Sequence, residues 1–267
     1  MMNRDERKLL AEETVKISKE GQYKVNNKYV FFNTPKNFQY FDKFAPVHNE
    51  IMNCEFGTGA KITVTNESTI AAIHRFGNNN LGVLNFASAK NPGGGFLGGS
   101  MAQEECLAYC SDLYIKQWPA GKDYYEKHRE NPNPFYSHTM FIDDVTFFRD
   151  ADFDLIEDFT TCKVLTSAAV NMGVAIKQGK SQKEAKAIMK QRMKNILVVF
   201  AYCRCKNLIL GAFGCGVFGN SAEDVAQIWK ELLFDEGYSL LFDNVCFAVL
   251  DSKNINNYAA FKKTFKR

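Results

Sequence analysis

One stretch of this chain gathers the residue types that do chemistry. From Asn85 to Glu105 it reads Asn-Phe-Ala-Ser-Ala-Lys-Asn-Pro-Gly-Gly-Gly-Phe-Leu-Gly-Gly-Ser-Met-Ala-Gln-Glu-Glu. Glycine lets backbone approach a ligand closely and reach positive φ. A glycine loop between a strand and a helix N-terminus offers N–H donors to a phosphate. Phosphate binding alone has no use for Glu104 and Glu105, so the pair adds proton chemistry and marks the stretch as an expected active site. A Ser100-x-x-Gln103 capping box would set both glutamates just inside the helix that follows. Neighbours on a helix point about 100° apart, so one is expected to orient substrate while the other exchanges a proton. The helix N-terminus favours their anionic forms. Burial and mutual repulsion favour protonation, and a general acid needs that second pair of effects to win.

A second stretch, Gly211-Ala-Phe-Gly-Cys-Gly-Val-Phe-Gly-Asn-Ser, also leaves an apolar run and enters a helical one. Both stretches contain Gly-x-Gly-x-x-Gly, at Gly93, Gly95 and Gly98 and at Gly214, Gly216 and Gly219. A dinucleotide fold of the Rossmann kind needs the turn tight against its strand and an acidic residue about 20 positions on, at a second strand end. In the first loop Lys90-Asn91-Pro92 intervenes, and the residue at that distance is Asp112, inside an expected helix. The P-loop pattern Gly-x-x-x-x-Gly-Lys-Ser/Thr is also not met, because Gly179-Lys180-Ser181 has Val174 where the first glycine is required. The economical reading is two backbone loops on the two sides of one diphosphate.

These loops need a scaffold, and 267 residues supply one with a sizeable core. Hydrophobic residues at 46% and charged residues at 24% are those of a globular protein. A formal charge of +3 is too small to argue for binding DNA or RNA. The start, Met-Met-Asn-Arg-Asp-Glu-Arg-Lys, carries no apolar h-region, and no run reaches the ~18 apolar residues of a membrane span. The expectation is an intracellular, cytoplasmic protein. Eight cysteines and four histidines show no Cys-x-x-Cys or His-x-x-x-His. Reduced, mostly buried thiols with neither metal nor cofactor are therefore expected.

Residues 3–20 read as a helix stopped by Gly21, and 23–32 as a hairpin around Asn26-Asn27. Residues 33–57 read as an ordered wrapping segment. From Lys61 short strands alternate with helices: strands at 62–64, 81–87, 145–148, 164–168, 208–213 and 245–250, helices at 68–76, 101–115, 181–203, 221–234 and 258–267. A long connection spans 118–143. This alternation predicts an α/β sandwich, with residues 1–57 an N-terminal extension packed on a core of 58–267.

Gly93-Gly94-Gly95, seven residues, then Gln103-Glu104-Glu105 resembles the signature of poly(ADP-ribose) glycohydrolases. The Asn-Phe-Ala-Ser lead-in and Gly-Ala-Phe-Gly-Cys-Gly-Val-Phe-Gly-Asn resemble the microbial-type branch, and the likeness runs from the N-terminal helix to Asp251. The resemblance implies a macrodomain-like three-layer α/β/α sandwich with a mixed sheet and an N-terminal helical extension. It implies hydrolysis of ribose–ribose O-glycosidic bonds in poly(ADP-ribose), mainly from chain ends, with ADP-ribose as product. Glu105 would be the catalytic acid/base and Glu104 would bind ribose hydroxyls beside the scissile bond. Gly93, Gly94 and Gly95, with Gly214, Cys215, Gly216 and Val217, would hold the diphosphate. Phe218 would pack on the distal ribose and Gln103 would help position the ligand. Ser88 stands where many macrodomains have an Asn that contacts that ribose. Tyr124, Tyr125, Phe135 and Tyr136 are candidates for the adenine pocket, with core packing as the competing role. A macrodomain that only binds ADP-ribose would explain the glycines and leave Glu104-Glu105 without a task; a mono-ADP-ribosyl hydrolase would use the same parts.

Overall fold

In a computed structural model, residues 2–34, 38–51, 57–251 and 256–266 are described. In chain order the elements are α1 (Arg4–Glu20), β1 (Gln22–Val25), β2 (Lys28–Phe31), β3 (Phe38–Phe41), α2 (Phe44–Ile51), β4 (Lys61–Thr65), α3 (Thr69–Phe76), β5 (Leu81–Phe86), α4 (Gln103–Cys110), α5 (Leu113–Gln117), α6 (Lys127–Glu130), β6 (Thr139–Arg149), β7 (Leu155–Ser167), α7 (Met172–Lys177), α8 (Gln182–Tyr202), β8 (Asn207–Leu210), α9 (Ala222–Lys230), β9 (Asn244–Ala248) and α10 (Asn257–Phe265). Seven strands form one sheet in the order β3-β6-β7-β5-β8-β9-β4. The pairs β3–β6 and β6–β7 are antiparallel and the rest parallel, so the sheet is mixed.

Strand alternation sends side chains to two apolar layers. Leu84, Leu208, Leu210, Val245 and Phe247 face α2, α8, α9 and α10. Val83, Ile209, Ile142 and Val164 face α1, α3, α4 and α5. The result is the expected three-layer α/β/α sandwich of a macrodomain-like fold. Because β5 and β8 are parallel neighbours at the sheet centre, the two glycine loops leave the same edge side by side.

Several boundaries differ from the sequence reading. Residues 33–57 contain a strand and a helix, β3 and α2, while 35–37 and 52–56 lie outside the described residues. The expected 101–115 helix breaks at Ser111-Asp112. There Asp112 accepts from Thr146 N–H at 2.9 Å and pairs with Lys116 at 2.8 Å, both side chains buried. The Lys116 ammonium also meets the carbonyl of Asp144, a residue at positive φ in a bulge of β6. A buried ion pair thus fixes a helix corner against the sheet, which apolar periodicity does not report. The 118–143 connection is mostly short helical turns, and its last residues belong to β6.

Helix α1 begins with a reciprocal capping box between Asn3 and Glu6 and ends at Gly21 in the left-handed region. Its buried stripe Leu10, Ala11, Thr14, Ile17 and Ser18 packs on the α4 side of the sheet. Its first turn also reaches the catalytic stretch: Arg4 Nε donates to Gly98 O and Arg7 Nε to Gly99 O, each at 2.8 Å. Gly99 has φ +73°, and a Cβ there would run into the Arg4 carbonyl. Since residues 1–57 also contribute β3 to the central sheet, we propose that 1–57 and 58–267 fold as one unit. Arg4→Ala/Arg7→Ala is expected to lower unfolding free energy by about 1–3 kcal/mol and to speed proteolysis within residues 96–102. Urea melts and limited digestion check this; an unchanged midpoint with unchanged cleavage would contradict it.

Candidate active site

A cleft of about 430 Å³ opens where the chain leaves β5 and β8, bounded by Ser88, Gly94, Gly95, Glu104 and Glu105 on one side and Gly214, Gly216, Val217 and Phe218 on the other. Open parallel sheets offer ligands this position, beyond the carboxyl ends of their strands. Most of the sequence-derived residues meet here. Gly93 and Cys215 do not line the cleft.

The glutamates are 3% and 7% exposed, so their charges are largely out of water. Glu104 Oε1 accepts from Asn85 Nδ2 at 3.2 Å, and its Oε2 from Ser88 N–H at 2.6 Å. Glu105 Oε1 accepts from Gly95 N–H at 2.8 Å, and its Oε2 from Ala102 N–H at 2.9 Å. The N-cap of α4 is therefore Ala102, with Glu105 as the third residue reaching back to the cap N–H. The Ser100 capping box is not formed. Despite the angle between helix neighbours, the carboxyls converge on Gly94. A Cβ there would sit 2.5 Å from Glu105 Oε1 and 3.0 Å from Glu104 Oε2, and φ is +60°.

Burial, with the adjacent Glu105 charge adding to it, pushes the Glu104 carboxyl up to about 8, although the Ser88 and Asn85 donors act the other way. At neutral pH Glu104 therefore carries a proton. The conflict between helix dipole and burial resolves in favour of burial at this residue.

The glycine triplet supports the carboxyls more than it presents donors. Gly93 N–H donates to Gln117 Oε1 at 2.9 Å, Gly94 N–H to Asn91 O at 3.0 Å, and Gly95 N–H to Glu105. Each of these three amides already has an internal acceptor, so a diphosphate there would have to compete with Gln117, Asn91 or Glu105. The second loop differs. Among the described residues, the amides of Gly214, Gly216, Val217 and Phe218 donate to no protein group. Asn220 Nδ2 holds this loop through Val170 O at 2.8 Å and Gly214 O at 3.0 Å, while Ser221 caps α9. Val217, 93% exposed, forms its tip. Cys215 is turned away: its N–H donates to Ala212 O, and burial pushes its thiol up to about 12.

Gln103 is locked by backbone. Its Oε1 accepts from Phe86 N–H and its Nε2 donates to Leu84 O, both at 2.8 Å. Pairing of β5 with β8 stops at Val83–Ile209, and the Gln103 amide takes over the edge beyond it. Its amide thus ties the start of α4 to β5. Ser88 Oγ accepts from Lys90 N–H and Asn91 N–H, shaping the loop while the hydroxyl borders the cleft. Tyr124 and Tyr125 are fully buried, so core packing is their role and neither can stack on a base. Phe135 packs against the α8 side of the sheet and Tyr136 lies outside the cleft. Sequence reasoning missed Asn85, Asn91, Ala102 and Tyr109. The hydroxyl of Tyr109 lies 3.0 Å from Phe96 O and 2.9 Å from Ser100 O, bracing the loop. An Asn beside a proline in a glycine loop was a usable signal for Asn91; Tyr109 offered none.

Seven described cysteines are free thiols, and Cys54 lies outside the described residues. Among the described residues no group of three or more His, Cys, Asp or Glu side chains could hold a metal ion, and no helix is long and apolar enough to cross a membrane.

The family model for the microbial-type PARG catalytic domain matches residues 11–150. The chain is similar to the crystal structure of poly(ADP-ribose) glycohydrolase from Thermomonospora curvata, at 34% identity and TM-score 0.92, over 98% of this chain and 100% of that one. A structure of the same enzyme bound to the inhibitor ADP-HPD matches at 33% identity and TM-score 0.89, with 98% and 100% covered. The Deinococcus radiodurans enzyme in complex with ADP-ribose matches at 32% identity and TM-score 0.79, over 86% of this chain and 94% of that one. No curated protein sequence matches the chain.

Glu104→Gln is expected to change the pH dependence of stability. A folded-state value raised from 4.5 to about 8 means stability is greatest below about 4.5 and falls as pH rises through about 8. Removing the titration should therefore make the variant gain on the parent, by an order of a few kcal/mol, between pH 5 and 9. Thermal melts across that range check this; a constant gap would overturn the assignment of the proton.

Proposed function

The chain belongs to the microbial-type poly(ADP-ribose) glycohydrolases, and from that membership we propose how its own residues carry out the family's reaction. It is a glycosidase: a poly(ADP-ribose) glycohydrolase that hydrolyses ribose–ribose O-glycosidic bonds to release ADP-ribose. The observation that carries the residue assignment is the convergence of two buried carboxyls on Gly94, beside a loop with unengaged amides.

The amides of Gly214, Gly216, Val217 and Phe218 take the diphosphate oxygens, and the Phe218 ring packs on the distal ribose. Gly94 has no Cβ and lets that ribose approach both carboxyls, while Gly95 and Ala102 hold Glu105 in place. Glu104, protonated at neutral pH and flanked by Ser88, binds the ribose hydroxyls. Glu105 delivers a proton to the departing 2′-oxygen as the C1″–O2′ bond breaks, leaving an oxocarbenium-like ribose beside the negative diphosphate. Water then adds to C1″ and its proton returns to Glu105, restoring the starting state. The proton that Glu104 holds at rest passes to Glu105 through the ribose hydroxyl bound between them before the bond breaks, and it returns by the same route after water has added, so the cycle balances with one proton. Cleavage proceeds mainly from chain ends, with polymer and poly(ADP-ribosyl)ated proteins as substrates. The free thiols fit a reducing, cytoplasmic setting.

Glu105→Gln should reduce ADP-ribose release at least about a hundredfold, with ADP-ribose binding retained by calorimetry. Its amide nitrogen would face either Gly95 N–H or Ala102 N–H, so a modest stability loss should accompany the change. Turnover within a fewfold of the parent would sink the assignment. Because the acid's proton is drawn from Glu104, kcat should fall as pH rises through about 8, an inflection that stopped-assay rates between pH 6 and 10 would reveal. A rate flat across that interval would contradict it.

A further inference from the structure

Behind the wall formed by Ser88, Asn91, Ala169 and Phe218 lies a second cavity, of about 470 Å³, which shares those four residues with the catalytic cleft. Its floor holds Arg192, 6% exposed, whose guanidinium donates to Ala168 O at 2.8 Å, Tyr136 O at 3.1 Å and Pro134 O at 3.3 Å. Its Nε has no partner, and no carboxylate pairs with it among the described residues. Lys90 and Arg129 stand exposed on the rim, and among the described residues no Asp or Glu lines the cavity. His128, also in the lining, is kept neutral: burial pushes it down to about 4. A buried cation without a counter-charge, flanked by two exposed ones, makes a site for an anion.

Position says which anion. Ser88 donates its N–H to Glu104 and faces this cavity as well, so the space begins immediately beside the carboxyl pair. Phe218, the residue placed on the distal ribose, forms part of the same wall. The terminal ADP-ribose unit occupies the first cleft, so whatever leaves from C1″ extends past this wall.

We propose that the second cavity is a leaving-side subsite, which binds the nucleotide diphosphate of the ADP-ribose unit that supplies the departing 2′-oxygen. The inference rests on the glycohydrolase reading above. Lys90 and Arg129 contact its phosphates, over the fixed positive charge of Arg192. The subsite anchors the departing unit at the moment the bond breaks and distinguishes polymer from smaller ADP-ribose conjugates.

The test compares two substrates: a ribose–ribose-linked ADP-ribose dimer, and ADP-ribose carrying 4-nitrophenolate at C1″, which has no leaving-side nucleotide. Lys90→Ala/Arg129→Ala should lower kcat/KM on the dimer roughly tenfold, mostly through KM, and flatten its salt dependence. Release of nitrophenolate should stay within about twofold. Both residues are exposed, so the double variant should melt with the parent. Equal losses on both substrates, or no loss on the dimer, would overturn the subsite while leaving the glycohydrolase reading intact. A parent enzyme that cleaves the nitrophenyl compound but neither dimer nor polymer would overturn that reading and the subsite with it.

Discussion

Two neighbouring carboxyls are held out of water against a single glycine, and the rest of the site is arranged to make that tolerable. Burying an unpaired carboxylate costs several kcal/mol, and a second beside it costs more. Four donors meet the four oxygens: Asn85, Ser88, Gly95 and Ala102. They come from the end of β5, the loop after it and the first turn of α4. A proton retained by Glu104 removes one of the two charges. The turn that delivers Gly95 is tied through Gly98 and Gly99 to α1, and through Tyr109 to α4. The N-terminal helix is thus part of the support for the catalytic geometry.

The same local pattern does two jobs in the two loops. Both read Gly-x-Gly-x-x-Gly and both follow a strand. In the first, the glycine amides are engaged by Gln117, Asn91 and Glu105, and the absence of Cβ at Gly94 makes room for the carboxyls. In the second, the amides of Gly214, Gly216, Val217 and Phe218 have no protein acceptor among the described residues, with Asn220 as the internal tie. This division has an electrostatic rationale. In the proposed reaction a diphosphate beside two ionised carboxylates would be repelled strongly in a low dielectric, which favours placing the phosphate donors on the loop away from them and keeping one carboxyl neutral.

How much of this was legible in the sequence depends on whether the signal was local. The alternation of strands and helices from Lys61 onward gave the sandwich, and the stop at Gly21 and the helices expected at 68–76 and 181–203 keep their ends within a residue in the structure. Gly94 and Gly95, Glu104 and Glu105, and Gly214, Gly216, Val217 and Phe218 line one cleft, while Gly93 and Cys215 of the same two motifs do not. What could not be read are interactions between distant segments. The Gln103 amide completes a strand edge, Gly93 turns toward Gln117, and Arg4 and Arg7 reach a loop more than ninety residues away. Tyr124 and Tyr125 looked like base-stacking candidates because composition does not distinguish a core aromatic from a ligand platform. The break at Asp112 was hidden because a buried ion pair leaves no trace in hydrophobic periodicity.

The geometry also separates this site from glycosidases whose two carboxyls flank the scissile bond, about 5 Å or more apart, on opposite faces of the sugar. Here both carboxyls come from one helix turn and reach one glycine, so they approach the ribose from the same side. A second carboxyl on the far face to activate water is not offered by this pair. In the proposed reaction, protonation of the leaving oxygen and deprotonation of the incoming water then use the same residue in succession. Such reuse requires that the residue not move between the steps. Glu105, pinned through one oxygen to Gly95 and through the other to Ala102, keeps its position in both protonation states only because each oxygen retains a second lone-pair direction for the proton. Rigidity of the loop and helix start is therefore a requirement of the proposed reaction, and it is consistent with so many backbone groups being committed to two side chains.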